Sequence, residues 1–261
     1  MMGIRFMRRL VLPTFVASMY FFLYIPIAVL VVFSFNDSLF PFVWKGATLH
    51  WYKELWQMAE VWQAMRNSLI VAFSSVVLSL LLGLLTVYYS SRIFLSRFFP
   101  IFYGNLGAPE VVLAVGLLSF FVLFSVPLGL TTLIAAHTLI GLGYVIPMLH
   151  GRFSELDYGL IESSLDLGAT HNQTFFRIIV PLMSPALMAS GLLVFVVSLD
   201  DFIVSFFCTG ATTQTLPLYI FAMIRSGATP VVNALSTLLL VISSILVLLF
   251  SVLKVKKMDV L

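Results

Sequence analysis

Apolar runs of about twenty residues or more recur along this 261-residue chain, and each is long enough to cross a bilayer as a helix. The hydrocarbon core holds no water, so a spanning segment must satisfy its own backbone hydrogen bonds, which leaves helices and closed barrels. A barrel would show short strands alternating apolar and polar residues. The runs here are continuous instead. Only 10% of the residues are charged, against about a quarter in an ordinary soluble domain, and mean hydropathy is +1.10. The chain reads as an all-α, polytopic membrane protein.

The pattern predicts six spans in one integral domain, residues 1–261. Span one covers about Val11 to Phe35, with Pro13 near its start and Pro26 inside. Arg8 and Arg9 before it resemble the start of a signal peptide. The run is too long for an h-region, however, and no small-residue cleavage site closes it, so a retained first helix is expected. A polar interval, Asn36 to Asn67, contains Trp44, Trp51, Trp56 and Trp62. Such residues favour the membrane–water boundary, and the piece from Trp51 to Trp62 is amphipathic enough to lie along it. Span two covers about Ser68 to Ser91. The apolar stretch Phe98 to His150 is too long for one crossing and breaks at Ser125-Val126-Pro127-Leu128-Gly129, because Pro and Gly punctuate helices. Span three is then about Phe98 to Phe124 and span four about Leu130 to Leu149. A polar loop, 151–181, leads to span five, about Leu182 to Phe207, and span six covers about Val231 to Leu253.

Orientation follows from the basic residues. One side holds Arg5, Arg8, Arg9, Arg92, Arg97, Arg152, Arg177, Lys254, Lys256 and Lys257; the other holds only Lys45, Lys53, Arg66 and Arg225. The positive-inside rule places both termini and the 151–181 loop in the cytoplasm. These charges sit at span ends, so the net charge of +3 signals topology rather than nucleic-acid binding. Several chemistries find no support in the sequence. The phosphate-gripping pattern G-x-x-x-x-G-K-[ST] does not occur, no H-E-x-x-H or C-x-x-C pair suggests a metal, and the four histidines are dispersed. No nucleophile, base and oxyanion donors stand at a recognisable spacing. Cys208 has no partner cysteine for an intrachain disulfide. No catalytic residue, metal or cofactor is expected on the chain itself.

Three acids interrupt the apolar runs. Glu110 follows Pro109 roughly 18 Å into span three at 1.5 Å per residue, and Asp200 and Asp201 follow Ser198 in the outer half of span five. An acid in lipid costs about 2.5–3.5 kcal/mol on insertion scales, so these side chains should face a bundle interior or water. No Lys or Arg occurs in the apolar cores to pair with them. Glu110 is either a path-lining group or a protonated carboxyl bonded to a neighbouring helix. The Asp pair either lines a path or marks a wet helix end. Unpaired acids along an outward-facing path favour a cationic solute. Trp44 either adds a cation–π contact at the outer mouth or is a structural interfacial residue.

The polar segment Glu162 to Pro181 reads E-S-S-L-D-L-G-A-T-H-N-Q-T-F-F-R-I-I-V-P. Leu160, Ile161, Leu165 and Gly168 fall near one helical face, and small residues there permit close approach by a partner. His171-Asn172 offers a turn, and Gln173 to Ile179 can form a second short helix before Pro181. From the residues alone it is either an amphipathic connector on the bilayer or a docking surface. The segment resembles the EAA loop of ABC-importer permeases: E-A-A, three residues, G, nine residues, I, one residue, L-P. Glu162, Gly168, Ile178 and Pro181 occupy those positions, with Ser163 and Ser164 for the two alanines and Val180 for the leucine. Six spans with this loop between the fourth and fifth also suit that family. The resemblance implies the type I ABC-importer permease (MetI-like) fold and a coupling helix, formed around Glu162, Ser163, Ser164 and Gly168, that docks on a separate ATPase.

Further stretches resemble the permeases of spermidine/putrescine importers: F-S-F-N-D at Phe33–Asp37, A-P-E-V-V-L-A-V in span three, S-L-D-D-F-I-V-S-F-F at Ser198–Phe207, L-P-L-Y-I-F-A-M-I-R at Leu216–Arg225 and T-P-V-V-N-A-L-S-T at Thr229–Thr237. The resemblance implies a non-catalytic permease subunit, forming half of an ATP-driven polyamine path, in a prokaryotic inner membrane. Its implied partners are a dimer of ABC ATPases carrying ATP and Mg, a second permease and an extracytoplasmic polyamine-binding protein. The path residues are then Trp44, Glu110, Ser198, Asp200 and Asp201. Related permeases for iron, thiosulfate or other small solutes share part of the pattern. An ion-gradient-driven secondary transporter would explain the acids as proton sites, but usually shows more spans and inverted repeats.

Overall fold

The structure, a computed structural model, describes residues 2–38, 43–90, 100, 102–104, 107–211, 213–227 and 230–258. Those residues are overwhelmingly helical and form two compact units, residues 1–59 with 220–261 and residues 60–219. Four helical segments among them are long and apolar enough to cross a membrane: Pro13–Phe33, Ala59–Tyr89, Leu130–Ser154 and His171–Asp200. Arg92, Arg97 and Phe98 lie outside the described residues.

In the first unit, helices α1 (Met2–Phe33) and α2 (His50–Gln57) both lie against α11 (Pro230–Met258). The side chains from Pro13 to Val29 of α1, Phe21 and Phe22 among them, are exposed, as a lipid-facing span requires. Beyond α1 the chain is tied down by Asn36. Its Nδ2 donates to the Val43 carbonyl at 2.8 Å, its Oδ1 accepts from the Lys45 N–H at 2.9 Å, and its carbonyl accepts from Trp51 Nε1 at 2.8 Å. Asn36 is buried, so these bonds satisfy groups that water does not reach. The amphipathic helix expected from Trp51 to Trp62 is shorter than predicted: α2 stops at Gln57, and Trp62 belongs to the next helix.

The second unit contains nearly all of α3 (Ala59–Tyr89), then α4 (Glu110–Leu123), α5 (Leu130–Ser154), α6 (Tyr158–Asp166), α7 (His171–Thr174), α8 (Val180–Asp200) and α9 (Ile203–Cys208); α10 (Leu216–Ser226) begins in this unit and ends in the other. Helix α5 runs against α8, and α9 against both α4 and α5. Small residues permit this closeness. A Cβ on Gly141 of α5 would run into Ser79 Oγ of α3 and Val194 Cγ1 of α8, so three helices meet where one side chain is missing. One apolar cluster gathers Leu84, Val145, Ile146, Phe175, Met183 and Val194; a second gathers Val71, Ala114, Phe121, Leu133, Val204 and Cys208.

Several boundaries depart from the hydropathy reading. Span three does not run unbroken to Phe124: Ala108 and Pro109 stand outside the helix and α4 starts at Glu110, so Glu110 opens a helix instead of lying midway along one. Span two starts at Ala59 rather than Ser68, because its first turns carry polar residues on an otherwise helical pattern. Span five does not run unbroken to Phe207: α8 ends at Asp200, Asp201 is extended (φ −68°, ψ 119°), and α9 restarts at Ile203. Nor does Pro181 end a separate short helix. His171 to Asp200 is one continuous helical rod containing a π-helical turn, Phe175–Ile179, in which the Val180 N–H donates to the Phe175 carbonyl. Proline lacks an N–H and crowds the carbonyl four residues before it. The wider turn immediately upstream gives Pro181 room without breaking the rod.

Candidate functional site

The break in span five builds a polar centre. Asp and Asn compete for nearby backbone N–H groups, which favours them where helices start. Asp201 does this: Oδ1 accepts from the Val204 N–H at 3.2 Å and Oδ2 from the Ser205 N–H at 2.8 Å. Glu110 also stands at a helix start, in the first turn of α4 behind Pro109. An acid suits that end of a helix, where the backbone dipole is positive. Helix α9 lies against α4, and Glu110 and Asp201 line one pocket together with His137, Tyr144, Val194 and Ser198.

The expectation that these acids are unpaired is corrected for Asp201. Its carboxylate is buried and faces His137, with Nε2 3.4 Å from Oδ2 and both side chains under 5% exposed. The partner is neither Lys nor Arg but an imidazole from α5. The other ring nitrogen, Nδ1, is 2.8 Å from Ser198 Oγ, so Ser198 is also buried and bonded. Ser75 of α3 donates to the Ala72 carbonyl at 3.0 Å and stands 3.5 Å from Ser198. Glu110 is exposed in the isolated chain, yet its carboxyl lies within hydrogen-bonding reach of Asp201 at the start of α9, which agrees with the alternative of a carboxyl bonded to a neighbouring helix; Asp200 is exposed. Trp44 is in the other unit, exposed, with its ring edge-on to Phe33. The structure therefore brings Glu110, Ser198 and Asp201 to one pocket, places Asp200 beside them in sequence on the rim of the helix break, and adds His137. The available signal for His137 was an ionisable side chain inside an apolar span, the same signal that marked the acids.

The polar loop is a second candidate site. Asp157 caps α6, its Oδ1 accepting from the Gly159 N–H at 2.9 Å. The helix ends in a Schellman turn: the Gly168 N–H donates to the Leu165 carbonyl at 2.9 Å and the Ala169 N–H to the Ser164 carbonyl at 3.1 Å. Gly168 has φ +84°, a left-handed conformation that explains glycine at this position. Thr170 then opens α7 with a reciprocal cap, accepting from the Gln173 N–H while Gln173 Oε1 accepts from the Thr170 N–H. A buried hydroxyl pair, Ser164 and Thr174 at 2.6 Å, joins the two helices. Glu162, Ser163 and Gly168 are exposed, Leu167 is 89% exposed, and Leu160 and Phe176 also face outward. Ile178, half-buried, lies in the π turn, and Pro181 is exposed just beyond it. The loop thus displays a capped two-helix surface with apolar side chains outward.

The sequence profile of the family described as binding-protein-dependent transport system inner membrane component matches residues 75–256, more than half of the chain. The chain belongs to that family. It is 37% identical over 244 residues to the spermidine/putrescine transport system permease protein PotC of Escherichia coli (strain K12), covering 92% of each sequence. It is 34% identical over 229 residues to the putrescine transport system permease protein PotI of the same organism, covering 84% of this chain and 82% of that one. Among solved structures, a bacterial ABC transporter involved in import of the acidic polysaccharide alginate superposes with a TM-score of 0.75 at 15% identity, covering 92% of this chain and 94% of its own. That likeness carries the fold. The permease is a multi-pass inner-membrane subunit rather than an enzyme, and its family works with a binding protein. A secondary transporter acting alone is set aside.

Proposed function

We propose that the permease is one half of the translocation path of an ATP-driven polyamine importer. The observation that carries the reading is the pocket that Glu110 and Asp201 line together between apolar helices, with Asp200 next to Asp201 in sequence at the helix break. Two acids kept at helix starts within a membrane are suited to an ammonium cargo, and a path for thiosulfate or another anion would place charge of the wrong sign there. The names of the relatives, spermidine/putrescine and putrescine permeases, agree with that chemistry. Ser198 supports the pocket wall, and Trp44 adds an aromatic face for a cation at the outer mouth.

The capped surface around Glu162, Ser163, Ser164 and Gly168 docks on an ABC ATPase dimer, and Ile178 and Pro181 continue it into span five. No cofactor resides on the permease; ATP and Mg belong to the ATPase. A second permease completes the path, an extracytoplasmic polyamine-binding protein delivers cargo, and both termini are cytoplasmic. Closure of the ATPase pair moves α6 as a rigid body and tilts the rod that starts at His171. The test is uptake of radiolabelled spermidine and putrescine by the assembled complex, with unlabelled diamines, polyamines and thiosulfate as competitors. Changing Asp200→Asn and Asp201→Asn together should lower polyamine uptake far more than ATPase binding. Unchanged uptake in that double variant overturns the path assignment.

A further inference from the structure

His137 is the buried ionisable group for which the polyamine path has so far no use. It stands inside α5 and reaches both sides of the break in span five. Nδ1 meets Ser198 Oγ in the last turn of α8 at 2.8 Å, while Nε2 faces Asp201 Oδ2 at 3.4 Å and Ser205 Oγ of α9 at 3.5 Å. Its partners select the tautomer. An ionised carboxylate only accepts, so the nitrogen facing Asp201 carries the ring proton, and Nδ1 accepts from the Ser198 hydroxyl. The Asp201 oxygens accept from the Val204 and Ser205 N–H groups and face His137 Nε2, with the Glu110 carboxyl also within hydrogen-bonding reach. The ring holds the carboxylate at the wall of the pocket that Asp201 shares with Glu110.

We propose that His137 is a positioning residue for cation passage: by donating to Asp201 and accepting from Ser198 it fixes the two sides of the helix break so that the Asp201 carboxylate is presented to the cargo. This rests on the polyamine reading of the pocket, so its test has one arm that uses cargo and one that does not. The first compares His137→Met, close in size but without an N–H donor, with His137→Gln, whose amide donates. Loss of one hydrogen bond to a charged group should raise the KM for spermidine about tenfold in the Met variant, with Vmax per assembled complex within about twofold of wild type, and Gln should recover most of the difference. An unchanged KM in both variants, an equal rise in both, or a loss confined to the amount of assembled complex overturns the proposal.

The second arm is nitrogen NMR of the purified complex with histidine labelled in this subunit, the His137 signal being assigned by its absence in His137→Gln. A ring protonated at Nε2 alone, whose signal moves on Asp201→Asn, is expected; a proton on Nδ1, with or without one on Nε2, overturns the proposal. If the wild-type complex takes up no polyamine, the polyamine reading falls, and the nitrogen spectrum still decides whether His137 orients Asp201.

Discussion

The Asp201 carboxylate accepts from two backbone N–H groups at the start of α9 and also faces His137, so neutralising it and removing it are different experiments. Asparagine caps a helix about as well as aspartate. Asp201→Asn should therefore assemble near wild-type levels and lose polyamine uptake. Asp201→Ala should lose uptake and also destabilise the permease by about 1–3 kcal/mol, because buried N–H groups lose their acceptor. Thermal unfolding of the purified complex alongside uptake separates the two, and equal stability of the variants would argue against a capping role. The acids themselves were legible in the sequence, since a charge inside an apolar run stands out in a single chain. Their pairing was not. His137 and Ser198 lie far apart along the chain, and only the crossing of α5 with α8 and α9 brings them together.

Among the elements, α6 and its Schellman turn show how a sequence motif acquires a physical reason. The spacing from Glu162 to Gly168 located the loop, and φ +84° at Gly168 explains the glycine within it. A Cβ there meets nothing within 4 Å, so the penalty of substitution is conformational, about 1–2 kcal/mol for a left-handed non-glycine residue. Coupled ATPase activity should fall in the order Gly168→Asn, Gly168→Ala, Gly168→Val, since Asn tolerates that conformation best. Equal activity across the series would mean that the turn does not matter for docking. Gly141 presents the opposite case, with a helical backbone and no room. Gly141→Ala should destabilise the bundle by about 1–3 kcal/mol through overpacking, seen as a lower unfolding temperature, and Ser79→Ala in the same chain should recover part of it. Hydropathy could find these helices because it averages over a span. For the same reason it ran through the break at Asp201 and missed the π turn before Pro181, which are set by one or two residues each.

For the whole molecule the open quantity is orientation across the membrane, and the exposed side chains supply reporters for it. Basic residues number ten on the side assigned to the cytoplasm and four on the other, and each predicted cytoplasmic segment holds at least two. Loops of this length obey the Lys/Arg bias, which sets orientation during insertion. The chain's one cysteine, Cys208, is fully buried, so the wild-type thiol gives a low labelling background in the folded permease. Leu167 and Leu49 are both well exposed, at 89% and 66%, and lie in segments assigned to opposite faces. A membrane-impermeant maleimide applied to intact spheroplasts should label Leu49→Cys and spare Leu167→Cys. In inverted vesicles the pattern should reverse, and ATPase bound to the complex should protect Leu167→Cys by covering the α6 surface. Labelling of Leu167→Cys from outside would invert the topology, and with it the separation of an ATPase face from a cargo entrance. Access from inside without protection by the ATPase would keep the topology and move the docking surface elsewhere on the cytoplasmic face.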